Sequence, residues 1–382
     1  MSKHSFRVLA LASLMLVLAL GVFSGHAQEP TIVNLYSSGD TNITDWLQNI
    51  IIPAFEAQYP QYRVQFTNSR AAGDDPIIER AIAAMQTGDD PLVEVMDVDP
   101  RDFPAAIDAG LWYSPTLEDI PNLANVAPVA NVTEYGAAYR GSQVLIAYNS
   151  DVVPEAEVPH TFTDLILWIK NHPGQFVYCR PDKGGSGGNF VARAIFQVSG
   201  NNPDMWRGEY NQQLVDTYFP LAWDLLNQLH PFIYDGSAYP AGNNPVLELF
   251  ASGEVSMISA WSDQAIQGMN LGFLPESTRL VQFTDLPMPG SYTQLSIPSN
   301  AANLQGAQDF VNFMLTPEMQ TSVVRDIGGF PAIGWDTLPT DLQEQFNSVI
   351  TDNVPLWPGG DYDPPRIQGW YENVATNIDP NS

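Results

Sequence analysis

Short apolar blocks alternate with polar, turn-forming stretches along most of the chain. Thr31-Ile32-Val33-Asn34-Leu35-Tyr36 predicts a buried first strand that breaks at Ser37-Ser38-Gly39-Asp40. Helical spacing follows from Thr44 to Gln58, with Trp46, Leu47, Ile50, Ile51 and Phe55 on one face, Thr44 as the candidate cap and Pro60 as the stop. Arg63 to Phe66 predicts a second strand, Pro76 to Gln86 a second amphipathic helix closed by Gly88, and Leu92 to Met96 a third strand. Strand, helix, strand, helix, strand is the rhythm of a parallel sheet covered by helices.

The rhythm resumes after residue 140. Val144 to Asn149 predicts a strand, Thr163 to Asn171 a helix and Gln175 to Cys179 a strand. Pro181-Asp182-Lys183-Gly184-Gly185-Ser186-Gly187-Gly188 is too rich in glycine to suggest regular structure, and a helix is expected only from Asn189 to Val198. Further helices are predicted over Leu214 to Leu229 and Pro245 to Ser252, then a strand over Val255 to Ser259. Asp285 to Asn300 reads as a polar, proline-rich stretch, and helices return over Leu304 to Leu315 and Gln320 to Asp326. No repeat or low-complexity linker separates the halves, which suggests two lobes between which the chain crosses more than once.

The first residues bear on compartment. Lys3, His4 and Arg7 precede an uncharged apolar run from Val8 to Val22, and Ser24-Gly25-His26-Ala27 offers small residues where a signal peptidase reads. The run falls short of the roughly 20 residues a membrane span needs, so a signal peptide over residues 1–27 is expected rather than a retained anchor. No Cys stands at the cleavage region to carry a lipid, and no later segment is long and apolar enough to span a bilayer. After Ala27, 13 Lys and Arg face 43 Asp and Glu, a net charge of −30. Phosphate contacts need clustered bases, so general nucleic-acid binding is excluded and docking on anionic membranes is disfavoured. With 45% hydrophobic and 11% aromatic residues, the 382-residue chain can build about two globular domains. Cys179 is the only cysteine and sits in an apolar stretch, which rules out an intrachain disulfide and suggests a buried thiol. His160, His172 and His230 are well separated, with no zinc spacing; no metal or other cofactor is expected.

Four stretches, in order, carry a family resemblance. They are Val33 to Gly39 with a helix ending Ala54-Phe55-Glu56-Ala57-Gln58-Tyr59-Pro60; Asn149-Ser150-Asp151 with His160-Thr161-Phe162-Thr163-Asp164-Leu165; Leu249 to Met257 with Gly253-Glu254; and Ala307 to Pro331, including Phe310 to Gln320 and Gly328-Gly329-Phe330-Pro331. Together they resemble the two-lobed, type II extracellular solute-binding proteins of ABC importers, the group with maltose-, iron-, thiamine- and polyamine-binding members. Phe162 stands where the family usually has Trp. Leu117 to Val126, with Ile120-Pro121-Asn122, and the glycine-rich stretch before Phe190-Val191-Ala192-Arg193 resemble a thiamine-importer-like branch. The resemblance implies an α/β, periplasmic-binding-protein-like fold, each lobe a mainly parallel sheet flanked by helices, with ligand held between the lobes. Lobe 1 is expected over 28–139 and 286–331 and lobe 2 over 140–285. The remaining 332–382 would form C-terminal helices on lobe 2 or the hinge. The implied function is capture of a small solute outside the cytoplasm by an exported monomer, periplasmic or extracellular, without catalysis. The implied partners are the solute and the transmembrane subunits of an ABC permease.

Loops and helix N-termini converge at the C-terminal ends of strands in open α/β sheets, and ligands bind there. Ser37, Ser38, Gly39 and Asp40 are candidates at the first strand end, against an ordinary turn. Asp99 is a candidate beyond the third, against a local pairing with Arg101. Gly185, Ser186, Gly187, Gly188 and Asn189 combine close backbone approach with hydrogen-bonding groups, against a plain surface loop. Trp261 and Asp263 pair an aromatic face with a carboxylate, which suits a cation or a sugar ring; a core Trp is the alternative. Tyr292, with Tyr36, Tyr139 and Arg140, lies near the expected crossings. Iron-binding relatives use paired tyrosines, and no Tyr-Tyr pair occurs here, which argues against ferric iron. The acids lean toward a thiamine-like or polyamine cation, the glycine-rich helix start toward a phosphonate, and a sugar stays open.

Gly184-Gly185-Ser186-Gly187-Gly188 also fits the G-x-S-x-G elbow of a serine hydrolase. A secreted esterase would need His230, the only His after Ser186, to reach that serine. A third reading is a binding protein that feeds a receptor. A neighbouring permease and ATPase gene would favour import and a sensor kinase signalling.

Overall fold

The computed structural model describes residues 29–69, 73–346 and 354–381; the leader expected over residues 1–27 lies outside them. Its strands are β1 (Thr31–Ser37), β2 (Tyr62–Asn68), β3 (Val95–Asp97), β4 (Ala137–Asn149), β5 (Phe176–Val177), β6 (Met257–Trp261), β7 (Thr278–Val281), β8 (Gly290–Ser296) and β9 (Phe330–Pro331). The first lobe holds β2, β1 and β3 in parallel, then β8 antiparallel to β3. In the second, β5 and β6 are parallel while β6 and β7 run antiparallel to β4. The sheets are therefore mixed, a correction to the mainly parallel sheets expected. The cause is β4, a 13-residue strand that serves both lobes: Ala137 to Gln143 pair with β8, and Val144 to Asn149 pair with β6 and β7. Through it all nine described strands join into one linked array.

The labelled helices are α1 (Thr41–Trp46), α2 (Ile52–Gln58), α3 (Asp75–Thr87), α4 (Phe162–Asn171), α5 (Gly185–Val198), α6 (Gln212–Leu229), α7 (Asn243–Ala251), α8 (Ser262–Asn270), α9 (Leu304–Met314), α10 (Pro317–Ile327) and α11 (Asp363–Asn373). A π-helical turn over Leu47–Ile51 joins α1 to α2. Pro53 lies just beyond it, and a proline ring cannot pack against the carbonyl four residues back, so the ladder widens there. Ile43, Trp46, Leu47, Ile51 and Phe55 are buried, whereas Ile50, expected on the same face, is exposed. Thr44 is not the cap: the Asp40 carbonyl already accepts from the Ile43 and Thr44 amides. Phe55 meets Phe310 and Phe313 of α9 edge-on, with centroids 5.1 and 5.5 Å away, pairs worth about 0.5–1.5 kcal/mol each beyond their buried area.

Three further elements depart from the pattern. The third strand starts at Val95 rather than Leu92, because Leu92 takes a left-handed φ of 53°; Glu94, just before Val95, donates its amide to the Asn34 carbonyl at 3.0 Å while its carboxylate accepts from the Asn34 amide. The glycine-rich stretch is helical from Gly185. A Cβ at Gly187 would fall 2.0 Å from the Cys179 carbonyl oxygen and one at Gly188 3.1 Å from that of Pro181. These glycines let a helix start flush against the strand exit. The polar 285–300 stretch contains β8, central in the first sheet, with Gln294 and Ser296 buried. In the second lobe Trp206, Trp357, Tyr362 and Trp370 form an aromatic core that ties the C-terminal segment to α6.

Candidate ligand-binding cleft

A cleft of about 800 Å³ opens between the lobes. The turn after β1 and the start of α1 contribute Ser38, Gly39, Asp40 and Asn42 from the first lobe, joined by Asp74 and Asp102. The second lobe contributes Gly184 and Gly185, Asn243 at the start of α7, Trp261 at the end of β6, and Asp263 and Gln264 in the first turn of α8. The crossing strands supply the floor: Arg140 and Ser142 of β4, with Ser291 and Thr293 of β8.

Local register explains which side chains arrive. Side chains alternate across a strand, so Ser291 and Thr293 face the cleft while Tyr292, the residue the sequence suggested, packs its ring against Gly141 and joins the apolar cluster of Ala130, Ala138 and Ala332. In β4 the pairing passes from Ala138–Gln294 to Arg140–Thr293, leaving Tyr139 as an extra residue. A bulge of this kind re-aims the strand. Burial pulls the Arg140 guanidinium down, but Tyr139, Asp97 and Asp263 outweigh that and keep it firmly charged. It donates to the Tyr139 hydroxyl at 2.7 Å and lies 3.6 Å from Asp97.

The lobes touch through hydrogen bonds between cleft residues. Asp40 accepts from Asn243 at 3.1 Å and from Gln264 at 2.8 Å. Asp263 accepts from Asn42 at 2.9 Å and from Ser142 at 2.5 Å. Asp40 occupies the N-cap position of α1 without its side chain capping the helix; that side chain reaches the opposite lobe. Trp261 packs its indole against Gly185, where a Cβ would stand 2.7 Å from the ring. Asp74 accepts from Ser38 and Ser69 and is raised by burial. Asp102 is pushed up to about 7 by the protein enclosing it and by Asp99 and Asp363, although its side chain keeps contact with solvent.

Of the residues singled out in the sequence, Ser38, Gly39, Asp40, Arg140, Gly185, Trp261 and Asp263 border this cleft. Ser37 is buried behind it and donates to Asp97 at 2.6 Å. Asp99 is held in a bidentate pair with Arg101 and caps the short turn after β3. Ser186 and Asn189 are buried in α5 with Gly187 and Gly188, outside the cleft wall. Asn42, Asn243 and Gln264 lie in first helical turns rather than at strand ends and carry no charge, so the sequence does not mark them; Gly242 before Asn243-Asn244-Pro245 is the one available signal. For the hydrolase reading, Ser186 Oγ donates to Asn243 Oδ1 at 2.8 Å, while the His230 ring bonds and stacks on Tyr239. The Cys179 thiol is pushed up to about 11 by burial. Among the described residues no group of His, Cys, Asp and Glu is arranged to hold a metal ion, and no helix is long and apolar enough to cross a membrane.

The model of a family described as bacterial extracellular solute-binding protein matches residues 51–334. Protein YnjB of Escherichia coli (strain K12) is 25% identical over 287 residues, 72% of either chain. An ABC transporter structure from Clostridium perfringens superposes with a TM-score of 0.64 at 14% identity, over 91% of this chain and all of the other. The periplasmic binding protein AfuA from Actinobacillus pleuropneumoniae, with fructose-6-phosphate bound, gives 0.62 at 17% over 91% and 99%. The apo ferric ion-binding protein A of Pasteurella haemolytica gives 0.64 at 11% over 90% and 96%. At these identities the likeness to solved structures is one of fold.

Proposed function

The chain belongs to the bacterial extracellular solute-binding proteins, and from that premise we propose that it captures a small cationic solute between its lobes and delivers it to the transmembrane subunits of an ABC importer. Proteins of this family are exported; cleavage of the leader near Ala27 is part of the proposal, as are a monomeric state and the absence of catalysis. The lobes are proposed to divide where β4 and β8 cross, close to residues 140 and 286.

The composition of the cleft wall carries the choice of a cation. Asp40, Asp74, Asp102, Asp182 and Asp263 line it against Arg140 and Lys183. Lys183 lies 3.5 Å from Asp182 and Arg140 3.6 Å from Asp97, so both bases face carboxylates of their own. A concave wall with surplus negative charge raises the local concentration of cations, and Trp261 offers a ring face to the same charge. Phosphonates find less support, since the start of α5 is packed against Cys179 and Pro181. Closure of the lobes over the solute would produce the shape read by the permease.

A thermal-shift screen over thiamine, polyamines, phosphonates and sugars tests this. A ligand that binds only the folded state raises the melting temperature, and at least one of the cations is expected to do so. A shift with a phosphonate or a sugar and none with any cation would reject the assignment.

A further inference from the structure

Three side-chain amides meet the opposite lobe in the cleft: Asn243 has both ends committed, to Asp40 and Ser186, whereas Asn42 and Gln264 each have only one. Asn42 Nδ2 donates to Asp263 Oδ2 at 2.9 Å. Gln264 Nε2 donates to Asp40 Oδ2 at 2.8 Å and, at 3.3 Å, to Asn244 Oδ1. A carboxylate oxygen only accepts, so neither amide can be reversed without setting oxygen against oxygen. Both orientations are therefore fixed, and each leaves a carbonyl oxygen over. Asn42 Oδ1 and Gln264 Oε1 are buried and receive no hydrogen bond, in residues only 9% and 6% exposed. Asp97 Oδ1, beside Arg140, is a third such acceptor.

The shortage is thus one of donors, in a region where buried polar atoms are normally paired. Water would donate too, but the surrounding wall is charged. Among the described residues, Asp74, Asp102 and Asp263 form no direct ion pair with Lys or Arg. A donor that also carries positive charge meets both needs at once.

We infer that the solute carries its charge on an N–H-bearing group, such as an ammonium, guanidinium or amidinium. This group donates to Asn42 Oδ1 and Gln264 Oε1, and the two side chains reject cations whose nitrogen has no hydrogen. The inference rests on the cleft being a cation site and sharpens that reading. Asn42 belongs to one lobe and Gln264 to the other, so a donor engaging both draws the lobes together. A fully methylated ammonium keeps its attraction to the carboxylates but leaves both buried oxygens without a donor. Sites built to hydrogen-bond a polar group discriminate strongly against analogues that lack it.

Isothermal titration calorimetry with putrescine and spermidine, each beside its N-permethylated counterpart, is the test. The N–H forms are expected to bind at least tenfold more tightly. Gln264→Met removes the acceptor at similar volume and is expected to bring that ratio toward one, mainly by weakening the N–H form. Equal or tighter binding of the permethylated forms, or an unchanged ratio in Gln264→Met, overturns the inference while leaving the cation site standing. Binding of a phosphonate or a sugar with none of these cations overturns both. If the unliganded melting curve shows that Gln264→Met does not fold, Asn42→Leu and the wild-type ligand pairs decide the matter.

Discussion

Asn42 at the start of α1 donates to Asp263 in the first turn of α8 at 2.9 Å, joining positions 221 residues apart. Ser142, where β4 passes between the lobes, donates to the other oxygen of the same carboxylate at 2.5 Å. One side chain of the second lobe thus holds both the first lobe's helix and the crossing strand. Hydrogen bonds to a charged group contribute about 1.5–3 kcal/mol. Asn42→Ala is expected to shift the ligand-free protein toward the open form by roughly tenfold or more. Small-angle scattering should report a larger radius of gyration; an unchanged profile would show that this contact does not govern closure.

Gly185 and Gly187 are two residues apart in α5 and should respond differently to the same substitution. A Cβ at Gly187 would sit 2.0 Å from the Cys179 carbonyl oxygen, which is backbone and cannot step aside. Gly187→Ala is expected to cost about 1–3 kcal/mol or more through overpacking, read as a lower denaturation midpoint. At Gly185 the obstacle is the Trp261 ring, 2.7 Å away. Gly185→Ala should displace the indole and weaken ligand binding with a smaller loss of stability. Equal stability losses would show that Trp261 is locked in place rather than adjustable.

Elements whose burial follows a simple period were legible in the sequence, and those whose polar side chains do structural work were not. Thr31 to Tyr36 and the Phe310-bearing helix announce themselves through apolar spacing. β8 does not, because Gln294 and Ser296 are buried polar residues, and Ser296 Oγ donates to the Val98 carbonyl. The glycines of α5 suggest a ligand loop, but their reason lies in the approach of Cys179 and Pro181, which sequence spacing cannot show. In the cleft, Asp40 and Asp263 were visible as acids at strand ends. Their partners Asn42, Asn243 and Gln264 are neutral amides whose meaning comes only from the facing lobe. Tyr292 marks the right strand but the wrong face, a consequence of the period of two.

Arg193 in α5 is fully buried. It pairs with Asp285 at 2.9 Å, donates to the Leu286 carbonyl at 3.0 Å and lies 4.8 Å over the Phe162 ring. These contacts fix the segment that leads into β8. Removing one partner of a buried ion pair leaves the other uncompensated and costs about 3–5 kcal/mol. Asp285 retains some exposure, so Arg193→Met should fall at the lower end. Chemical denaturation checks this; a loss under 1 kcal/mol would mean that Asn201 and solvent suffice for Asp285.

Asp102 gives the cleft a pH dependence whose sign follows from its surroundings. Enclosure by the protein, then Asp99 and Asp363, push its carboxyl up to about 7, with Arg101 and Arg366 opposing. Between the ordinary carboxylate value near 4 and that raised value, the folded protein holds a proton that the unfolded chain has released. Stability contributed at this position is therefore present in mild acid and declines as pH rises through about 7; Asp74, raised by burial, adds in the same direction. Asp102→Asn should flatten that decline in the ligand-free protein, seen as melting temperatures that change less between pH 5 and pH 8 than in the parent. Binding of a cation runs the other way. A positive solute beside Asp102 favours the ionised form and expels the proton, so cation affinity should fall on acidification from pH 8 to pH 5, and the Asn variant should lose part of that dependence. Calorimetry at the two pH values measures this directly, and an affinity that rises in acid would remove Asp102 from the cation's surroundings.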